Sequence, residues 1–596
     1  MTATLKANAS KARTADAETP TRREGAPLES SRRGSPASLR RVRGRDPALR
    51  RLYLTTALAS IPRVLGAADR NPYRMTYGCF DREFWHYRTS SFPSEMYQEG
   101  VLPLALVWAY EMPGNRWHGD PRVRELVVAG LEFSARSCHM DGSCDDYYPF
   151  ERALGAAVFS LQAAARAYQL LGLDSPTIRA WLERRANWIM NHDESGKLAN
   201  HHALASLGLW RVAQITGRAD YMNAADDALR RVLAWQHREG WFDEYGGADP
   251  GYQTVTIDCL AKLGEVFGRR LLDAPLRRAV AFARWFLHPD DSFGGEYGSR
   301  GTYQFYPHGF ELLAGCNEQA SQLADGFLRA LAAGRHAYFD DDRMYVHRLG
   351  NLIEAYLDWS PDCTADDERR VTTTYLPAAR LLVRQSGETR TIVSAARGGV
   401  FKHFTPQQRP TTDAGLIVET IDGRIAVSQS HDLERAVEWD EANEIEMRNS
   451  TPTGRLTVAG PLHWVRFETV TPLKQAVFHW GMWTLGRCCR SLARRFLQRR
   501  LITGRDPCPI RLTRIFEFAS ADRSQESRVI DHIELRDRRI RIRRMSFASD
   551  LQAAYVAASD VYQESVLQPW TDLGPHVAEL NARREVTIAR ELPTTP

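Results

Sequence analysis

The chain has little that would anchor, export or cross-link it. No stretch approaches the roughly 20 apolar residues that a membrane-spanning helix needs, so a helical membrane protein is excluded. The first fifty residues hold no apolar run of the secretory kind, which makes cytoplasmic residence the expectation. The nine cysteines (Cys79, Cys138, Cys144, Cys259, Cys316, Cys363, Cys488, Cys489 and Cys508) are odd in number. They form no CxxC pair and no metal-spaced His/Cys set, so neither a disulfide framework nor a zinc ribbon is indicated. HExxH and calcium-loop spacings are also missing, and no metal or cofactor is expected. A basic body is lacking too. Residues 1–50 carry twelve Lys/Arg against five Asp/Glu, a net +7 of the chain's +5, which leaves −2 for the other 546 residues. Nucleic acid is therefore not an expected partner.

What is present is enough chain for two large domains and a tail: 596 residues of ordinary globular composition. Residues 1–50, rich in Ala, Ser, Arg, Thr and Pro, bury too little apolar area to offset their ordering entropy and read as a disordered basic tail. Residues 51–378 read as helical. Asp120-Pro121, Ser175-Pro176 and Asp249-Pro250 each place a capping residue before Pro at a first helical position. The connectors alternate between short plain ones and long ones rich in Gly, aromatics and acids (140–149, 192–202, 238–252 and 289–308). In an antiparallel array of hairpins the long ones share one rim.

Near residue 380 the apolar period falls to two, and Asp422-Gly423 marks a hairpin. The fold class is thus α+β: an N-terminal α/α toroid, an incomplete barrel of helical hairpins, followed by a C-terminal antiparallel β-sandwich domain over 379–596.

A helical insert at 473–500 interrupts the β domain. Phe478, Met482, Leu485, Cys489, Leu492 and Phe496 form one stripe. Arg487, Arg490, Arg494, Arg495, Arg499 and Arg500 lie off it, with no acid in the segment. The stripe either packs on the β domain or lies in an anionic membrane interface, at the inner membrane face.

The rim supplies the candidate site. Asn200-His201-His202 heads one apolar-periodic run and Tyr252 heads another, with one hairpin between. Trp241, Glu244, Glu296, Tyr297, Arg300 and His308 fall in or beside the long connectors and are the expected ligand-lining residues. Structural roles compete for each. Asn200 can be an N-cap, His201 and His202 polar residues of a first turn, and Tyr252 a wall aromatic.

A toroid followed by an antiparallel β domain, with Asn-His on one inner helix and Tyr about fifty residues later, resembles the heparinase II/III-like polysaccharide lyases and their alginate-lyase relatives. The resemblance implies a carbohydrate ligand, with Asn200 and His201 neutralising a uronate carboxylate. It implies that Tyr252 moves the C5 proton and that a β-domain His assists. In place of that family's His-rich segment the chain offers Gly398-Gly399-Val400-Phe401-Lys402-His403, making His403 the counterpart by position. The rim's many acids point elsewhere, because they would repel a polyanion. A glycoside hydrolase using Glu244 and Glu296, in similar Glu-Tyr-Gly contexts, or Asp141, is one alternative. A glycan-binding protein of surface-polysaccharide assembly is another.

Overall fold

A computed structural model describes residues 41–194, 196–335, 344–365, 373–386, 388–406, 408–440, 454–465, 471–486, 505–519, 527–551 and 566–592. Residues 1–40 of the expected tail and the arginines at 487–500 lie outside the described residues.

The helix-start signals act as the chemistry requires. Asp120 accepts from the amides of Arg122 and Val123, Ser175 from that of Ile178, and Asp249 from that of Tyr252. They open α3 (Pro121–Ser137), α5 (Pro176–Met190) and α8 (Pro250–Phe267). The other helices are α1 (Pro47–Ala67), α2 (Val101–Ala109), α4 (Leu154–Leu170), α6 (Ala199–Thr216), α7 (Ala219–Ala234), α9 (Arg269–Arg284), α10 (His308–Ala314), α11 (Glu318–Ala332) and α12 (Tyr345–Leu357). The helices α2, α4, α6, α8, α10 and α12 are apolar almost all round and nearly wholly buried. Each packs on the next, and α12 packs on α2, which makes them the inner wall of the expected α/α toroid. The amphipathic helices α3, α5, α7 and α11 lie outside them.

The last ten residues of the expected tail are folded. β1 (Arg41–Gly44) pairs with β2 (Asp362–Ala365), and α1 begins at Pro47 under an Asp46 cap. The cause is Arg45. Its guanidinium is buried against Glu311 at 2.5 Å and Asp325 at 2.7 Å, and Tyr53 donates to the same Glu311. Composition does not reveal a charge whose partners lie far along the chain.

All strand pairing is antiparallel. β3 (Thr374–Leu376), β4 (Leu381–Ser386), β5 (Thr389–Ser394), β6 (Val400–Phe404) and β7 (Thr411–Asp413) form a five-stranded sheet in sequence order. The nine-stranded sheet holds β8 (Leu416–Thr420), β9 (Ile425–Val427), β10 (Ala436–Asp440), β11 (Gly454–Val465), β12 (Pro507–Phe518), β13 (Arg528–Leu535), β14 (Ile542–Phe547), β15 (Thr571–Asp572) and β16 (Glu585–Glu591). Gly423, at φ 79°, turns β8 into β9 where Asp422-Gly423 signalled a hairpin. Leu382, Val393 and Phe401 face Leu456, Val458 and Phe516 across the sandwich. Leu381, Val383 and Ile392, on the opposite face, join the toroid's core. The five-stranded sheet is thus a middle layer, apolar on both faces.

Candidate functional site

The long connectors precede α4, α6, α8 and α10, so they converge on one rim as expected. Three of them repeat one turn, in which a histidine amide bonds a carbonyl four residues on: His139 to Ser143, His237 to Trp241 and His288 to Ser292.

At the head of α6, Asn200 is buried and held by a carboxylate. Its backbone amide donates to Glu244 Oε1 at 2.8 Å, and its side-chain Nδ2 donates to both Glu244 oxygens at 2.9 Å. Asn200 Oδ1 has no partner among the described residues. Burial pushes the Glu244 carboxyl up to about 7, against the hydrogen bonds from Asn200. Glu244 is therefore an acid–base group near neutrality.

His201 Nδ1 meets the Glu194 carboxylate. Burial holds its imidazole down, to about 4, with Glu244 opposing and Arg300 adding to the effect. Glu194 pulls toward the cation, and a neutral ring donating Nδ1–H to that carboxylate meets both demands, leaving Nε2 as an acceptor. The ring lies against Gly155, where an added Cβ would stand 2.8 Å from His201 Cε1.

Tyr252 sits half-buried in the first turn of α8. Its neighbour is Tyr245, which takes a left-handed φ of 56°. Burial raises the Tyr245 hydroxyl far above its usual range, Arg300 opposes this, and Tyr252, Glu244 and Tyr147 add to it. Arg300 stacks on the Tyr245 ring at 4.0 Å, and no carboxylate pairs with its guanidinium among the described residues.

The β layers contribute three groups to this rim. Arg397 donates to the carbonyls of Gly298 at 2.6 Å and Ser299 at 2.8 Å. Lys402 lies 3.0 Å from Glu296, which also accepts from Tyr303. His431, beyond β9, abuts Gly247, where an added Cβ would stand 2.8 Å from its ring. Burial, then Arg397, Arg505, Arg435 and Arg380, hold the His431 imidazole well below its usual range, so it stays neutral.

Several expected residues are elsewhere. His403 points away from the rim: Lys402 lies opposite Ile392 on the toroid-facing side, whereas His403 lies opposite Thr391 and bonds its hydroxyl at 2.9 Å. It lines a cavity of about 230 Å³ inside the sandwich with Phe401, Asp413 and Arg590. Period-two alternation puts the two neighbours on opposite faces of β6. Tyr297 is a core ring stacked on Phe286, its hydroxyl 2.8 Å from His288. Trp241 stacks on His237 and donates to Glu239. His202 leaves α6 on another face, edge-on to Trp235. His308 lies among Asp258, Glu354 and Asp358. Burial and Lys262 push its imidazolium down, yet hydrogen bonds to Asp358 and Glu354 hold it above its usual range. Glu296 is fixed in its ion pair with Lys402, which leaves Asn200, His201, Glu244, Tyr252 and Arg300 as the expected residues brought together.

The rim's acids are mostly consumed within the protein. Asp145 accepts from the amides of Phe150 and Arg152, Asp249 from those of Tyr252 and Arg300, and Asp291 pairs with Arg329. The expected repulsion of a polyanion rests on counting them as free. Among the described residues no group of His, Cys, Asp and Glu is placed to hold a metal ion. No described helix is long and apolar enough to cross a membrane, and the described cysteines are unpaired.

The architecture is an α/α toroid whose polar rim is closed by an antiparallel β sandwich. No protein-family model and no curated protein matches the chain. Among solved structures it is similar to a mutant chondroitin AC lyase from Streptomyces coelicolor, at 13% identity and a TM-score of 0.46, over 85% of this chain and 71% of that one. A mutant heparan sulfate lyase from Pedobacter heparinus aligns at 13% identity and a TM-score of 0.39, over 84% and 70%. A β-L-arabinofuranosidase from Geobacillus stearothermophilus aligns at 10% identity and 0.34, over 72% and 95%. Likeness at this level assigns no chemistry.

Proposed function

We propose that the chain is a carbohydrate-active enzyme that cleaves a uronate-containing saccharide by β-elimination at the seam between rim and sandwich. The supporting observation is the grouping of Tyr252, Tyr245, Arg300 and His201 at the rim, with a neutral His431 of the β layers seated against Gly247 on the same connector as Tyr245.

Elimination needs the carboxylate charge masked so that the adjacent C5 proton becomes acidic. With Asn200 Nδ2 spent on Glu244, that task falls to Arg300, a rim cation with no carboxylate partner among the described residues. Tyr252, as its phenolate, takes the C5 proton, the electron pair forms the C4–C5 double bond, the C4–O bond breaks, and Tyr252 gives the proton to the leaving oxygen. The tyrosine gives up its own proton only beside positive charge or a base. Arg300 supplies the first, and the neutral His431 imidazole is a base on the facing segment.

Glu244, titrating near neutrality, supports a hydrolase as a second reading. The other carboxylates named for that role are committed: Glu296 to Lys402, and Asp141 to Ser143 and Arg152. The test is ultraviolet absorbance of the unsaturated product while purified protein meets a panel of uronate-containing saccharides. A rise with wild type that is lost in Tyr252→Phe, at unchanged melting temperature, supports elimination. New reducing ends without unsaturation would replace it with hydrolysis, and activity surviving in Tyr252→Phe would remove Tyr252 from the mechanism.

A further inference from the structure

The helical insert opens with α13 (Pro472–Gly481), which continues in one wider turn over Met482–Gly486. It is apolar on two opposite faces. One meets the rim connector before α4: Phe478 is edge-on to Tyr148 at 5.5 Å, Trp483 meets Phe150 at 5.7 Å, and Met482 is buried. Phe478 of the expected stripe thus packs on the toroid rim.

The other face has no covering partner in the described structure. Leu473, Val477 and Trp480 recur at four and three residues and are 74, 60 and 71% exposed. Met140 and Tyr147, on the connector that α13 packs against, are also exposed large apolar side chains. Isolated exposed apolar residues need no explanation, but a contiguous set on one short helix marks a binding surface.

We propose that this face docks on a bilayer carrying anionic lipid. The charge of the chain selects that occupant. The sequence running on from α13 adds Arg487, Arg490, Arg494, Arg495, Arg499 and Arg500, and 473–500 contains no acid. A second copy of the chain would bring two such runs together and repel itself. Anionic headgroups attract the run while the acyl boundary takes Trp480, Leu473 and Val477, and tryptophan favours that depth. The face lies beside the connector that carries Tyr147, a neighbour of Tyr245 at the seam. Docking therefore holds the seam near the membrane surface. The inference is independent of the chemistry at the seam.

The test is co-sedimentation of the full chain with phosphatidylcholine vesicles, with and without phosphatidylglycerol, at low and high salt. Binding at least tenfold stronger to the anionic vesicles, and weakened by salt, is expected. Leu473→Ser with Trp480→Ser should lower it tenfold or more at unchanged melting temperature, since both side chains are exposed. Arg494→Gln with Arg495→Gln should lower only the anionic preference. No binding, equal binding to both vesicles, or a serine variant that binds as wild type overturns the proposal. So does a wild-type dimer that the serine variant turns into monomer, because a second copy would then cover the face.

Discussion

Replacing Glu244 by Gln should change how stability depends on pH. In the folded chain burial holds this carboxyl near 7, against an ordinary value of 4.5. Between those values the folded state binds more protons than the unfolded state, so wild-type stability falls as pH rises from about 4.5 to about 7 and then levels off. The rise from 4.5 to about 7 corresponds to roughly 3 kcal/mol. The amide that replaces the carboxyl in Glu244→Gln cannot titrate, and the site can satisfy it. Its carbonyl can accept the Asn200 backbone amide, and a flipped Asn200 side chain can turn its partnerless Oδ1 toward the new amide. Urea unfolding of both proteins from about pH 4.5 to about pH 8 measures the difference. His201 and His202, held near 4 by burial, have the opposite slope, stability rising with pH up to the ordinary histidine value. They are present in both proteins and largely cancel. Wild type should lose about 3 kcal/mol relative to the variant across this window and nothing beyond it. Parallel profiles would refute the raised carboxyl, and with it an acid–base role for Glu244 near neutrality.

The two β-domain histidines should separate. His431→Gln should slow turnover about 10²–10⁴-fold with little change in melting, whereas His403→Ala should keep activity and cost about 1–3 kcal/mol by leaving Thr391 and a cavity behind. Arg300→Gln should raise KM for an anionic saccharide and flatten its salt dependence, while the stacked Tyr245 remains in place; an unchanged salt slope would remove Arg300 from carboxylate binding. Arg514→Met should destabilise by about 3–5 kcal/mol in chemical denaturation, because Arg514 is buried between Asp531 at 2.5 Å and Asp413 at 2.9 Å and its loss leaves Arg590 alone to balance both buried carboxylates.

Much of the architecture was legible because its signals are local. A cap followed by proline needs no partner beyond its own first turn, and Asp120, Ser175 and Asp249 all act as read. The same holds for Gly423 in its hairpin. The site was half legible. Asn200, His201 and Tyr252 head inner helices, so helical period and connector length placed them together. His403 failed because β6 is buried along its whole length, toroid on one side and second sheet on the other. A strand with two apolar faces has lost the alternation that would say where each side chain points. Nothing local in the strand therefore tells that Lys402, not His403, is the one turned toward the rim. His431 lies outside any strand or helix, and only the folded chain brings it to Gly247. Arg45 is the same case at the other end: a charged residue in a polar stretch, fixed by Glu311 and Asp325 from the last third of the toroid.

The rim's charge shows why counting ionisable residues misjudges a ligand. Acids crowd the long connectors because such loops are built from left-handed turns and exposed amides, and carboxylates satisfy those amides. Asp145 closes the turn before α4, Asp249 caps α8 and ties it to Arg300 and Thr302, and Asp290 holds Ser292. A carboxylate that accepts two or three such bonds projects little field toward a ligand. Arg300 is different. Its backbone is pinned by Asp249, but its guanidinium rests on an aromatic face with no carboxylate beside it among the described residues. The same loops that look acidic in composition therefore present a cation at the seam, and the middle sheet reinforces it by seating Arg397 on carbonyls of the adjacent loop. The anionic saccharide proposed as ligand would meet the residue whose charge is left over, not the average of those already spent on the fold.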